Sequence, residues 1–76
     1  MMLRPKRRRR NPTPFEHGVL HAAALFQLAH EKPDMAAEVL RKEGLTTAHC
    51  AELDVRDREA LREINRSPGM SLTGLD

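Results

Sequence analysis

An all-α fold, a small domain of three to four helices behind a disordered basic N-terminal arm, is what this sequence predicts, and three observations predict it. Apolar residues recur at helical spacing in separate segments. Helix start and stop signals punctuate those segments. No stretch alternates with the two-residue period of a strand. At 76 residues the chain has room for one domain, expected to divide as arm 1–12, helical domain 13–66 and flexible C-terminal tail 67–76.

The arm is Arg4, Lys6, Arg7, Arg8, Arg9 and Arg10 with Pro5 and Pro12, whose like charges repel and whose prolines oppose helix. Order is expected to begin at Thr13-Pro14-Phe15-Glu16, a capping box with proline at the first helical position. The first helix then runs to His30 or Glu31. Phe15, Val19, Ala22, Phe26 and Ala29 form its stripe, widened by Leu20, Ala24, Leu25 and Leu28. Pro33 ends it.

Asp34 is expected to cap a second helix, Met35 to Glu43, buried through Met35 or Ala36, Val39 and Leu40. Gly44 stops it in the left-handed conformation, and Leu45 presses on Leu40 in a Schellman motif. Thr46 or Thr47 caps a short third turn or helix, Ala48 to Leu53. Asp54 caps the last, Val55 to Arg66, with Asp57 complementing the dipole and Ala60, Leu61 and Ile64 turned inward. Ser67-Pro68-Gly69 ends it. Met70, Leu72 and Leu75 follow without a period, as a tail that folds back on the core or docks elsewhere.

The net charge of +2 conceals a division. Six of the 13 basic residues precede Asn11, which leaves seven against 11 acidic ones, so a +6 arm is joined to a −4 body. The arm has the composition of an anion binder: phosphates, an acidic protein surface or a nuclear-import receptor would take it. With no Trp or Tyr and two Phe, stacking on bases is not an available mode. A lone cysteine, Cys50, excludes a disulfide framework and multi-cysteine zinc sites, and implies a reducing compartment. The longest mostly apolar run, residues 19–29, falls short of a bilayer span, and Asn11-Pro-Thr-Pro14 interrupts any signal-peptide pattern. A soluble protein of the cytoplasm, without membrane contact, is expected.

Sites are sparse. Gly44 between two short helices suggests a helix-turn-helix whose base-contacting residues would be Thr46, Thr47 and His49. That segment holds no Lys, Arg, Asn or Gln, the usual readers of base edges, so plain packing is the stronger expectation. His17 and His21 lie four apart on one helical face, with His30, His49 and Cys50 as further candidate ligands. Their apolar neighbours favour partly buried neutral imidazoles instead, and neither metal nor cofactor is expected. His49 and Cys50 are helix neighbours pointing about 100° apart, too divergent to share a proton. Glu59–Arg62 and Glu63–Arg66 have the spacing of solvated surface pairs. With no phosphate-cradling glycine loop, no catalytic residue is assigned.

The run from Pro14 to Ala24, Met35-Ala-Ala-Glu-Val-Leu-Arg41 with Gly44-Leu45, and Glu52-Leu-Asp54 with Ala60-Leu-Arg-Glu-Ile64 resemble small helical proteins encoded by phages and prophages. That resemblance spans about residues 14–64 and implies a class rather than a site: non-enzymatic regulators of transcription or inhibitors of a host machine. Because a −4 body repels phosphates, the arm is expected to seek anions and the body to seek protein, with RNA polymerase and its nucleic acid as the expected partners. A dimeric helix-turn-helix repressor, or an assembly protein with a nucleic-acid-binding arm, are the alternatives. A monomer or a homodimer formed through the first helix would fit the thin core.

Overall fold

A computed structural model describes residues 12–76, and these form an all-helical fold. Apart from Pro12, the expected arm lies outside the described residues. Helix α1 spans Pro14–His30, α2 spans Pro33–Lys42 and α3 spans Val55–Ile64. Each packs against the other two around a core whose largest fully buried side chains are Leu20, Leu40, Leu61, Ile64 and Cys50.

The expected capping box closes α1: Thr13 Oγ1 accepts the Glu16 N–H at 3.1 Å, and Glu16 Oε1 accepts the Thr13 N–H at 2.9 Å. Glu31 ends the helix in the left-handed region, at φ 52°, with its N–H on the Gln27 carbonyl. Lys32 and Pro33 then reverse the chain directly into α2. Asp34 is therefore not the cap expected of it. Proline at the first helical position starts α2 two residues earlier than that, and Asp34 Oδ1 accepts the Ser67 hydroxyl at 2.8 Å instead.

The end of α2 follows its glycine. Gly44, at φ 73°, donates to the Arg41 carbonyl at 3.1 Å, and Leu45 donates to the Leu40 carbonyl at 2.8 Å. This is the paired bonding of a Schellman motif, with Leu45 buried as its hydrophobic contact. At α3, Asp54 accepts the Asp57 N–H at 3.0 Å as N-cap.

Three further expectations are corrected. The inner stripe of α1 is Leu20, Ala23, Ala24 and Gln27, whereas Phe15, Ala22 and Ala29 are exposed and Val19 and Phe26 half-buried. This helix is apolar on nearly every side, so its own pattern does not select which face turns inward. On α2 likewise Ala36, Ala37 and Leu40 are buried, while Met35 and Val39 are exposed. Secondly, residues 46–53 form no helix. Their backbone groups bond to the chain's C-terminal segment: Ser71 N–H to Thr46 O at 2.8 Å, Thr73 N–H to Ala48 O at 3.1 Å and Cys50 N–H to Thr73 O at 2.8 Å, with a parallel bridge between His49 and Thr73.

Thirdly, residues 67–76 fold back on the core, one of the two courses expected of them, and are packed rather than flexible. Met70, Leu72 and Leu75 are buried. Asn65, at the end of α3, holds the Leu72 backbone from both sides, its Oδ1 accepting the N–H at 2.7 Å and its Nδ2 donating to the carbonyl at 3.3 Å. Arg62 donates to the Leu75 carbonyl at 2.6 Å and Arg58 to that of Asp76 at 3.4 Å. Arg62 is thus drawn to the tail rather than to Glu59, while Glu63 and Arg66 pair at 3.3 Å as expected.

Candidate functional site

The closest side-chain contact among charged or titratable groups joins α1 to α3. Buried Asp57, in the first turn of α3, accepts from Nδ1 of half-exposed His21 at 2.6 Å. The Asp54 cap bonds the Asp57 N–H, which fixes the turn that presents the carboxylate. His21 is less buried than expected, and the hydrogen bond to Asp57, and then the carboxylate's charge, raise its pKa above the usual 6.5, with a further push from Asp54. The imidazole held on this buried carboxylate ties two helices at a point the apolar core does not cover.

Because the folded-state pKa is raised, the contribution of this proton is complete below about pH 6.5 and is lost as pH climbs through the folded value. The midpoint of thermal unfolding of the wild type is accordingly expected to fall relative to His21→Gln between pH 6 and 8. Parallel midpoint curves for the two proteins would refute the coupling.

The remaining candidate ligands stay apart. No three His, Cys, Asp or Glu side chains among the described residues are grouped to hold a metal ion. His17 lies beside Pro12, Pro14 and Glu52 along a shallow hollow at the start of α1. His30 is packed against the Phe26 ring, with centroids 4.8 Å apart. Cys50 is fully buried, and burial pushes its thiol up to about 11, far from the thiolate a nucleophile or metal ligand needs.

The helix-turn-helix candidates lie on one non-helical segment, where Thr46 and His49 are bonded to the C-terminal residues. His49 Nδ1 and the Thr73 hydroxyl are 2.9 Å apart, and the Thr46 carbonyl accepts from Ser71. Thr47 alone is exposed, on a turn. Residues 46–53 therefore supply no recognition helix to enter a major groove. The arm candidates Arg4, Lys6, Arg7, Arg8, Arg9 and Arg10 lie outside the described residues. Comparison with protein-family models, characterised proteins and solved structures finds no match to this chain.

Asp57 and Asn65 are the site and scaffold residues that sequence reasoning missed. Asp57 was legible only as a first-turn acid, because its partner is 36 residues away. Asn65 carried a usable signal: a short amide at a helix end that is followed seven residues later by an apolar segment needing backbone partners.

Proposed function

We propose that this chain is a non-enzymatic regulatory protein of the type phages encode, docking on the transcription apparatus through its helical body while its arm binds anions nearby. The conversion of residues 46–53 from a reading helix into a turn bonded to the C-terminal segment is the observation that carries this reading. It removes the element by which the body would read bases, and so favours protein as the body's target. Charge supports the same division of labour. The +6 arm attracts phosphates or an acidic groove, whereas a body of net −4 is repelled by a duplex. No helix among the described residues is long and apolar enough to cross a membrane. A polymerase surface, where acidic protein and nucleic acid lie side by side, satisfies both parts.

Affinity capture of host proteins on the full chain, before and after nuclease treatment, tests the reading. RNA polymerase subunits are expected to remain after nuclease, and to remain on a variant carrying Arg7→Gln, Arg8→Gln, Arg9→Gln and Arg10→Gln. That variant is expected to lose duplex affinity together with most of the salt dependence, each phosphate contact contributing a slope of about 0.9. Recovery of the subunits only before nuclease would refute direct docking. Selective duplex binding by the neutralised variant would restore the repressor reading.

A further inference from the structure

Between Glu16 and Glu31, helix α1 contains no Asp, Glu, Lys or Arg. Only one of its apolar faces is used inside the chain. Opposite that face, Phe15, Gly18, Ala22, Leu25 and Ala29 follow one another at intervals of three, four, three and four residues, and all five are exposed. This is the spacing of a helix-packing seam, the kind that meets another helix at a shallow angle. Exposed Leu28 borders it on one side and half-buried Phe26 on the other.

Two further observations show that the seam serves something outside the single chain. Phe15 is 70% exposed, and Phe26 is only half-buried at the edge of the core. Gly18 sits inside the helix, where glycine costs about 1 kcal/mol relative to alanine. A Cβ there would meet nothing within 4 Å, so the single chain supplies no steric reason for the glycine. A second helix approaching closely does.

We propose that this outer face of α1 joins two copies of the chain, packed antiparallel about a two-fold axis between Ala22 and Leu25. In that arrangement Leu25 of each copy falls on Ala22 of the other and Gly18 falls on Ala29, while Phe15 reaches past the end of the partner's helix, beside position 32. A parallel pair would instead set Leu25 on Leu25 and leave the small residues facing one another across gaps. Antiparallel packing also places each helix's positive end beside the other's negative end. The seam has no charge with which to select a partner of different chemistry, and a two-fold axis makes the one surface its own complement. A face about 25 Å long covers roughly 500 Å² per copy, and the total of about 1,000 Å² reaches the lower bound for a specific interface. The inference is independent of the transcriptional reading. Its consequence is a particle carrying two basic segments rather than one.

Analytical ultracentrifugation of the full chain from about 5 to 200 μM tests it, a range chosen to span the modest affinity of an interface of this size. A monomer–dimer equilibrium is expected for the wild type. Ala22→Glu buries an unpaired charge at the two-fold axis and should weaken association at least about 100-fold while leaving helical circular dichroism unchanged. Val55→Glu, at an equally exposed apolar position on α3, should dimerise like the wild type. Should Ala22→Glu lose its helical signal, Gly18→Glu takes its place, because the single chain leaves open space there. A monomeric wild type throughout the range overturns the proposal and assigns the face to a different partner. Undiminished dimerisation of the folded glutamate variant overturns it as well.

Discussion

Replacing Gly74 by alanine is expected to destabilise the protein by about 3 kcal/mol, from a backbone penalty of about 1 kcal/mol and steric strain of about 2 kcal/mol. Gly74 has φ 73°, and a Cβ built on it would lie 2.7 Å from the Ala51 nitrogen and 2.8 Å from the His49 ring. The nearer obstacle is backbone, which cannot rotate aside as a side chain can. Both contacts belong to the seam where residues 70–75 lie against residues 46–51. The substitution should therefore loosen that seam before the helices separate, since local openings need less free energy than global unfolding. Cys50 reports the difference. Its N–H is bonded to Thr73 and its thiol is buried, so a thiol reagent should label Gly74→Ala markedly faster than wild type under native conditions. Equal labelling rates together with an unchanged melting midpoint would contradict the role given to this glycine.

Leu40→Ala is expected to cost about 3 kcal/mol, whereas Val39→Ala should change stability by less than about 0.5 kcal/mol. Leu40 has no exposed surface, and it anchors the Leu45 contact that completes the turn after α2. Val39 is 48% exposed. A domain of this size has a total stability of order 4–10 kcal/mol, so the first substitution removes a large share of it. Chemical denaturation of the two variants checks the contrast. Similar losses at both positions would mean that α2 is rotated from its observed orientation. The comparison is informative because sequence periodicity places both residues on the buried face, and only the packing separates them.

What could be read from the chain beforehand was local. Thr13 with Glu16, Gly44 with Leu45, and Asp54 each act on residues within a turn, through hydrogen bonds whose geometry the intervening sequence already dictates. The all-helical class followed from the same signals. Contacts between distant segments were not legible. Asp57 was read only as a first-turn acid complementing the helix dipole until His21 arrived from another helix, and Ser67 looked like a helix stop until it was found donating to Asp34. The segment after Gly44 misled for a related reason. Thr46 and Thr47 are sound caps, but a short helix beginning there would have to compete with residues 71–73 for its own backbone groups, and residues 71–73 win.

For this protein the sequence by itself determined where α1 and α3 begin, where α1 and α2 stop, and that charge is divided between the first ten residues and the rest. Those properties depend on neighbours along the chain. Tertiary structure alone decided which face of α1 turns inward. An apolar helix can bury any side, and the choice falls to the partners that α2 and α3 present. It also decided the fate of residues 67–76, whose apolar side chains lack a period but fit a groove that the end of α3, with Arg62 and Asn65, and the turn at His49 assemble from two parts of the chain. The outer face of α1 is the remainder of that first choice: apolar by sequence, exposed by packing, and spaced to receive a helix like itself.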